Sequence, residues 1–527
     1  MKLQRFSLDV FGFPFHTKYL ISLVWICLLI IGSAGYAAAN DDTQQANIDD
    51  IKQLMKQADK LTRRGEIVEA EKILRHVLEI NPNELKAKIN LANLLLKQRR
   101  LIEAYDLSIA VVKADPKNSY AFAVLGATLL SAGNFRDARI SFINALKLNR
   151  SEALAWAGFG MLDFYENRIS ESVENLREAV FHNPDEPDFF FTLAQVSARA
   201  EKYKEAAEAY DTFLRISPQN DKERRDRIKG LINFLRFLGN RQSLYNLSGG
   251  KQANISFKLV NDRPVIQLKI DKKDELLNFV LDTGSGISVI SQETAARLKI
   301  KAITRGGLAR AIGGDGKFEI VYGFLKSVNI GEIKIQNVPI YIRKFHANTE
   351  QIDGYIGISL ISKFLTTIDY GNLTLVLKRK DSVDSRKSEG EILSLPLRLT
   401  SSGFLSGIVK LEGIEAPLNF IVDTGASISV ISDELAGSKE LNPFLRDEKM
   451  RVVGAAGVTE DVASFLLPRV TFGTHSRESI KAIALDLNLI NETSGFEQAG
   501  ILGGNFLKNY RLTFDFINSK VIFVPIK

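Results

Sequence analysis

The hydrophobic pattern changes twice along the 527-residue chain and divides it into three parts. Near the N-terminus lies an apolar run, Tyr19–Ile31, interrupted only by Ser22. From about residue 51 to 246, stripes of Leu, Phe and Ala follow a long period that is typical of paired helices. After Gly250, short β-rich runs such as Val265–Ile270 alternate with glycines, which predicts strands. The pattern therefore predicts a multidomain chain in which an all-α region precedes an all-β region.

The N-terminal segment has the parts of an export signal. Basic residues precede the apolar run, and Ala37-Ala38-Ala39 ends the small-residue stretch after it. This order predicts a signal peptide over residues 1–39, with cleavage after Ala39. An uncleaved anchor is the alternative, because residues 19–39 form 21 uncharged positions, just enough to span a bilayer. Both alternatives export the rest of the chain, soluble or anchored by residues 19–39, and the expected compartment is the bacterial periplasm.

Prolines mark a regular interval in the helical region. Pro82, Pro116, Pro184 and Pro218 are separated by 34, 68 and 34 residues, and Arg150 occupies the omitted position. A 34-residue period is a signature of helix–turn–helix solenoids. Two series of small residues keep the same period and predict where paired helices cross closely: Ala58, Ala92, Gly126, Gly160 and Ala194, then Ala70, Ala104, Ala138, Ser172 and Ala206.

The turn between paired helices is predicted at a third periodic position. Gly65 and Gly133 occupy it, while Arg99, Asn167 and Glu201 replace glycine in the other repeats. The region 51–246 resembles a tetratricopeptide array, and the resemblance implies about five repeats followed by a capping helix. Stacked repeats create a concave surface that suits an extended peptide or a helix, so a protein partner is expected in this groove.

The β-region contains one sequence pattern twice. Leu277–Gly284 corresponds to Leu418–Gly425, and both copies end in Asp-Thr-Gly. Each copy is followed by the same Ile-Ser-Val-Ile-Ser, at Ile287–Ser291 and Ile428–Ser432. A single Asp-Thr-Gly is most often a plain turn, because Asp and Gly favour turns. Two copies in register indicate a duplicated domain.

Glycines extend this register beyond the motif. Candidate flap glycines follow each Asp-Thr-Gly at matching offsets, and an apolar-apolar-Gly sequence comes later: Gly313, Gly314, Gly316 and Gly357 in the first copy, Gly454, Gly457 and Gly503 in the second. The polar run 378–390 is predicted to be a linker. The two lobes are therefore expected at 252–377 and 391–527.

Residues 252–527 resemble the retropepsin-like and pepsin-like aspartic proteases. The resemblance implies a pseudo-twofold, double-lobed aspartic protease fold in which Asp282 and Asp423 face each other as catalytic residues. It also implies that Thr283 and Thr424 lock the two loops by crossed hydrogen bonds, and that Gly357 and Gly503 lie behind the loops. The residues expected to support the catalytic loops are Thr283, Gly284, Ser285, Thr424, Gly425 and Ala426.

The chemistry of two facing carboxyl groups suits peptide hydrolysis. Two carboxylates a few ångströms apart cannot both ionise easily, so they share a proton and supply one base and one acid. Two departures from the family stand out. Ser285, whose hydroxyl can bond a carboxylate in pepsin-like lobes, is replaced by Ala426 in the second copy. Neither candidate flap contains the tyrosine of pepsin flaps.

Composition narrows the function classes further. The chain is 45% apolar and 25% charged, as ordinary soluble proteins are, and its net charge is 69 − 62 = +7. This diffuse surplus gives no reason to expect nucleic-acid binding. The lone cysteine, Cys27, lies in the export segment, which excludes disulfides and a cysteine-based metal site. No metal and no cofactor are expected.

The function predicted from the sequence is an exported aspartic endopeptidase whose helical array recruits a protein substrate or partner. The alternative is a catalytically inactive peptide-binding scaffold of the same fold. Self-processing is a third hypothesis, with Lys378–Gly390 and the Ser248–Ala253 junction as the candidate cleavage segments.

Overall fold

A computed structural model describes residues 34–241, 243–271, 273–346, 350–382 and 394–526. The chain divides between Gly158 and Phe159 into two compact units. The predicted export segment up to residue 33 and residues 383–390 of the predicted linker lie outside the described residues. Among the helices that are described, none combines the length and the hydropathy needed to cross a bilayer.

The first part of the described chain is helical, as the repeat pattern predicts. The helices are α1 (Ala34–Arg64), α2 (Ile67–Ile80), α3 (Leu85–Lys97), α4 (Leu101–Ala114), α5 (Ser119–Ser131), α6 (Phe135–Leu148), α7 (Ala153–Tyr165), α8 (Ile169–His182), α9 (Pro187–Arg199), α10 (Tyr203–Ile216) and α11 (Lys222–Gly239). Helices α1 to α10 form five helical hairpins, and α11 takes the position predicted for the cap. Helix α1 begins before the predicted cleavage position at Ala39, and cleavage there stays a prediction.

The two series of small residues are buried where paired helices cross. A Cβ atom on Gly126 would lie 2.6 Å from the ring of Phe142, and one on Gly160 would lie 2.6 Å from Leu176. At the same crossing, the Ser172 hydroxyl donates to the Gly160 carbonyl oxygen at 2.6 Å. The small residues recur every 34 residues because the two helices of each hairpin approach closely at that position.

All five predicted turn positions have a left-handed backbone. The φ angle is 74° at Gly65 and 79° at Gly133, and it is 61° at each of Arg99, Asn167 and Glu201. Only glycine adopts this conformation without a steric cost from a Cβ atom. Three of the five turns therefore carry that cost.

The first β-lobe is built from the following elements: β1 (Asn246–Gly249), β2 (Gln252–Ser256), β3 (Lys258–Val260), β4 (Arg263–Ile270), β5 (Leu277–Leu281), β6 (Val289–Ser291), α12 (Gln292–Arg297), β7 (Thr304–Arg310), β8 (Lys317–Ile330), β9 (Ile333–Arg343), β10 (Gly354–Ile356), α13 (Ile358–Ile361), β11 (Phe364–Asp369) and β12 (Thr374–Arg379). Its main sheet has the order β1-β9-β6-β10-β5-β4-β8-β7, with β3 paired to β4. Strand β12 extends two residues into the predicted linker, and a 3₁₀ turn follows at Lys380–Ser382.

The second lobe repeats this arrangement: β13 (Ser394–Pro396), β14 (Arg398–Leu399), β15 (Leu405–Leu411), β16 (Leu418–Val422), β17 (Ser429–Ser432), α14 (Asp433–Ala436), β18 (Leu445–Val453), β19 (Val458–Phe472), β20 (His475–Leu485), α15 (Asn488–Ser494), β21 (Gly500–Leu502), α16 (Gly504–Leu507), β22 (Tyr510–Asp515) and β23 (Lys520–Pro525). A 3₁₀ turn lies at Asn442–Phe444. The order β20-β17-β21-β16-β15 matches β9-β6-β10-β5-β4 of the first lobe. The predicted all-α solenoid followed by an all-β, double-lobed fold is confirmed.

A third sheet contains strands of both lobes, in the order β13-β23-β22-β11-β12-β2. At its centre β11 pairs antiparallel with β22, and Thr367 stands opposite Thr513. These two threonines lie ten residues after Gly357 and Gly503, so they are equivalent positions, and their hydroxyls are 2.9 Å apart. The pseudo-twofold axis therefore passes between them.

The Ser248–Ala253 junction is not the open loop that self-processing would favour. Strand β1 pairs with β9, and β2 pairs with β12, so both ends of the junction belong to sheets. A protease needs an accessible extended segment, which the paired strands do not offer.

Candidate active site

Each aspartate of the duplicated motif directly follows a central strand of its lobe. The Asp282 amide, after β5, donates to the Ile356 carbonyl oxygen at 3.0 Å, and the Asp423 amide, after β16, donates to Leu502 at 3.0 Å. The acceptors belong to β10 and β21, which run parallel to β5 and β16. The apolar strands on both sides therefore fix the position of each aspartate backbone.

The threonines of the two loops are joined by four hydrogen bonds between the lobes. The Thr283 hydroxyl donates to the Val422 carbonyl at 2.6 Å and accepts from the Thr424 amide at 3.1 Å. In the opposite direction, the Thr424 hydroxyl donates to the Leu281 carbonyl at 2.7 Å and accepts from the Thr283 amide at 3.2 Å. Both side chains are 0% exposed. The crossed arrangement implied by the family resemblance is present in the structure.

The two glycines that follow these threonines bring the carboxyl groups together. A Cβ atom on Gly284 would lie 2.3 Å from Asp423 Cγ, and one on Gly425 would lie 2.6 Å from Asp282 Cγ. Each glycine amide also donates to the aspartate of its own loop, at 2.9 Å to Asp282 and 2.7 Å to Asp423. Residues without a side chain are therefore required where each loop passes the opposite carboxyl group.

The carboxyl groups of Asp282 and Asp423 are hydrogen-bonded to each other, so each one changes the pKa of the other. Burial raises the pKa of Asp282 well above its ordinary value, and the charge of Asp423 raises it further. Burial also raises the pKa of Asp423, although the amide of Gly425 opposes this by stabilising the carboxylate. A proton shared by the pair, held more tightly than a free carboxyl group holds one, follows from this geometry.

Ser285 does not make the carboxylate contact that pepsin-like lobes led us to consider. Its hydroxyl donates instead to the Ile287 carbonyl at 2.8 Å, within its own loop. Ala426, at the equivalent position, contributes a backbone hydrogen bond that lowers the pKa of Asp423. Ser285 therefore shapes its own loop and does not contact the carboxyl pair.

Gly357 and Gly503 lie directly behind the two loops. A Cβ atom on Gly357 would lie 2.7 Å from the Ser285 carbonyl oxygen, and one on Gly503 would lie 2.6 Å from that of Ile428. The Gly357 amide donates to the Ser288 hydroxyl at 3.1 Å, and the Gly503 amide donates to the equivalent serine, Ser429, at 3.2 Å. Both contacts need a backbone without a side chain.

The candidate flaps are hairpins whose tips meet. The first hairpin joins β7 to β8 and carries Gly313, Gly314 and Gly316, while the second joins β18 to β19 and carries Gly454 and Gly457. The amide of Ala456, in the second tip, donates to the carbonyl of Ile312, in the first, at 3.0 Å. The glycines let the two backbones approach this closely: a Cβ atom on Gly454 would lie 2.1 Å from that carbonyl oxygen.

The two hairpins differ in what supports them. Helix α11 packs against β7, where a Cβ atom on Gly230 would lie 2.2 Å from the Arg305 carbonyl oxygen. Phe234 of α11 stacks on Tyr322 of β8 with ring centroids 4.4 Å apart, and Lys317 forms an ion pair with Glu223 at 2.9 Å. Strand β18 of the second hairpin is instead exposed along most of its length. The last helix of the array therefore supports one flap, a contact that the sequence does not reveal.

Sequence reasoning also missed Arg343, the last residue of β9. The charge of Asp282 acts on its guanidinium. Burial nevertheless lowers the pKa of Arg343, because its surroundings are mainly aromatic. A charged residue ending a strand of apolar residues, Val338–Ile342, was the available signal.

Comparisons with known proteins agree with these two architectures. A family model described as aspartyl protease matches residues 266–360 and 408–506, one segment in each lobe. Models described as tetratricopeptide repeat match residues 61–127 and 158–221. The chain carries tetratricopeptide repeats followed by a two-lobed aspartyl protease domain. The resemblance stated from the sequence is confirmed.

The curated relatives match through the repeats. Anaphase-promoting complex subunit 3 of Schizosaccharomyces pombe is 24% identical over 160 residues, which is 30% of this chain and 24% of that protein. Human tetratricopeptide repeat protein 6 is 22% identical over 153 residues, 29% of each chain. This chain thus spans only 24% and 29% of the length of these relatives. A thermophilic tetratricopeptide protein of Thermus thermophilus, 18% identical, matches 36% of this chain and 99% of its own, with a TM-score of 0.31.

Proposed function

We propose that the protein is an exported aspartic endopeptidase that uses Asp282 and Asp423 as its catalytic pair. The observation that carries the proposal is the convergence of the two Asp-Thr-Gly loops, with the carboxyl groups in contact and four hydrogen bonds between the loops. The hairpin tips above them add a second support, because they can cover an extended peptide.

The shared proton gives the pair both roles that peptide hydrolysis requires. The ionised carboxyl group takes a proton from a water molecule, whose oxygen attacks the peptide carbonyl carbon, while the protonated carboxyl group gives its proton to the carbonyl oxygen. Collapse of the tetrahedral intermediate breaks the C–N bond as the pair gives a proton to the leaving nitrogen and takes one back from a hydroxyl group of the intermediate. One proton remains on the pair at the end of the cycle, so the pair is regenerated.

Cleavage of an unfolded protein tests this proposal. Residues 40–527 should cleave denatured, fluorescently labelled casein at mildly acidic to neutral pH, and pepstatin should inhibit the reaction. Asp282→Asn and Asp423→Asn should each remove the activity, because either change removes one ionisable member of the pair. Asp274→Asn is the matched control, since this fully exposed carboxyl group lies in the loop between β4 and β5, outside the site and both flaps.

Activity retained in both pair variants would refute the catalytic assignment. Binding of peptides without cleavage by the unmodified chain, over long incubation and across pH 3–8, would point instead to the peptide-binding scaffold. A loss of activity in Asp274→Asn equal to that of the pair variants would mean that the substitutions act through folding.

We propose that the repeat array recruits the substrate protein or a partner, and that residues 1–39 direct export. The succession of helical hairpins supports the first proposal, because repeats of this kind are typically used to bind proteins, and the residue pattern of the leader supports the second. Loss of the preference for whole proteins over short peptides, after substitutions in the array, would test recruitment. The mass of the mature chain and its cell fraction would test export and show whether cleavage follows Ala39.

A further inference from the structure

Strand register identifies equivalent positions on the two walls of the cleft. In the first lobe β6 and β9 run parallel, and Ser291 stands opposite Arg343. In the second lobe β17 and β20 run parallel, and Ser432 stands opposite Leu485. Ser291 and Ser432 are both nine residues after their aspartates, so Arg343 and Leu485 are structural counterparts. One wall therefore has a cation where the other has an aliphatic side chain.

The wall of the first lobe surrounds this cation with aromatic rings. The guanidinium carbon of Arg343 lies 5.5 Å from the ring centroid of Phe318, 5.2 Å from that of Phe345 and 5.9 Å from that of Tyr355. Its Nε atom is buried and has no hydrogen-bond partner among the described residues. The part of the chain that the structure describes also places no carboxylate in an ion pair with it. The neighbouring Arg263, by contrast, is paired with Glu350.

The wall of the second lobe is apolar and, around Leu485, mainly aliphatic. Leu485 belongs to a cluster that includes Val430, Leu487 and Ile501. Ile501 is the counterpart of Tyr355, because they pair with Ile421 and Val280, each of which lies two residues before the aspartate of its lobe.

Both walls border the space between the catalytic loops and the flaps. Ala426 of the second catalytic loop and Ile312 of the first flap tip pack against the Leu485 cluster. On the other side, Phe318 is the second residue of the flap strand β8, and Tyr355 immediately precedes Ile356, whose carbonyl accepts the hydrogen bond of the Asp282 amide. The charge of Asp282 acts on both Arg343 and Tyr355. A peptide above the carboxyl pair would therefore have one wall on each side.

We propose that Arg343 selects substrates with an acidic side chain, Asp or Glu, on one side of the cleaved bond, while the Leu485 wall accepts an aliphatic side chain on the other. The inference rests on the proposed function and names its substrate class. A buried guanidinium with an unused donor gains most from a carboxylate, which supplies both the charge and the acceptor. The aromatic rings that hold the guanidinium plane leave its donors to the ligand.

Cleavage of paired peptides tests the selection. A peptide library with amidated C-termini should give Glu or Asp beside Leu or Ile at the cleaved bond, and replacing that Glu by Gln should lower kcat/KM about 10- to 100-fold. Arg343→Leu, which copies the second wall, should remove this ratio while cleavage of the Gln peptide persists. Arg343→Lys should retain part of it, and Arg343→Glu should reverse it toward a Lys-containing peptide.

Binding provides an arm that does not depend on catalysis. Asp282→Asn, titrated calorimetrically with the uncleaved Glu and Gln peptides, should bind the Glu peptide about tenfold more tightly or better, and the added Arg343→Leu change should abolish the difference. A peptide with Gln inside and a free C-terminal carboxylate separates a side-chain preference from recognition of the chain end. Tight binding of that peptide alone would overturn the proposal.

The two proposals fail in different ways. Equal kcat/KM for the Glu and Gln peptides in the unmodified protein and in Arg343→Leu would overturn the role of Arg343 and leave the protease intact. If the unmodified chain cleaves no peptide, the proposed activity fails, and the binding comparison alone then decides the role of Arg343. If Arg343→Leu does not fold, Arg343→Lys and Leu485→Arg test the proposal instead. Leu485→Arg should add a preference for an acidic side chain at the second wall.

Discussion

The hydrogen bonds between the two loops give a sharp test of how the lobes are held together. Thr283→Val removes a hydroxyl group with little change of shape. The Val422 carbonyl and the Thr424 amide then lose their partners at a place that is 0% exposed at Thr283 and Thr424. Two lost hydrogen bonds and the unsatisfied groups they leave should lower the free energy of unfolding by about 2–5 kcal/mol. Thr283→Ser keeps the oxygen atom and should cost much less.

The assay must separate the lobes from the helices. Both tryptophans precede residue 159, so hydrogen exchange of peptides 277–284 and 418–425 in increasing urea is the suitable measurement. Thr424→Val should match Thr283→Val within about 1 kcal/mol, because the two sets of bonds have nearly equal lengths. Equal urea midpoints for Thr283→Val and Thr283→Ser would refute the reasoning, since the serine retains the bonds that the valine lacks.

Three further predictions concern the charge of the pair, the turns and the flap support. Because the folded-state pKa of Asp282 is raised, its proton stabilises the fold at low pH, and this contribution is lost as pH rises above about 4. Asp282→Asn does not have this loss. Its free energy of unfolding, measured by urea titration, should therefore rise relative to that of the unmodified chain between pH 4 and pH 8. Arg99→Gly should stabilise its repeat by about 0.5–1 kcal/mol, because φ there is 61°. Gly133→Arg should destabilise its own repeat. Unchanged melting temperatures in both variants would contradict this reasoning. Gly230→Val should push α11 from the Arg305 carbonyl and speed hydrogen exchange in β7 but not in β18; equal rates in both strands would show that the helix does not support the flap.

The repeats and the convergence of the two Asp-Thr-Gly loops could be predicted because each depends on a pattern that recurs. A small residue is needed at every helix crossing, so Ala104 and Ala138 occupy equivalent places 34 residues apart. The duplicated Asp-Thr-Gly could be recognised for the same reason, since both lobes present identical groups to one axis. Recurrence even predicted the turn at Arg99, where the residue type alone argues against a left-handed backbone.

The contacts that occur once could not be predicted in this way. In the sequence Gly230 resembles any glycine in a helix, and only the structure shows the Arg305 carbonyl beside it. Arg343 lies 61 residues after Asp282, but its counterpart Leu485 lies 62 after Asp423, so counting residues misaligns the two walls by one position. Only strand pairing restores the match, because pairing depends on geometry and not on loop length.

The sheet shared by the two lobes has a consequence for how the chain reaches its native state. Strand β11 pairs with its own equivalent, β22, through identical positions at Thr367 and Thr513. The first lobe leaves the ribosome before the second exists, so it presents a strand edge that is complementary to itself. Two nascent chains can therefore pair through the exposed edge of β11, which the second lobe later covers. Because both lobes are in one polypeptide, pairing of β11 with β22 of the same chain competes with dimerisation. The high local concentration of the second lobe favours pairing within the chain.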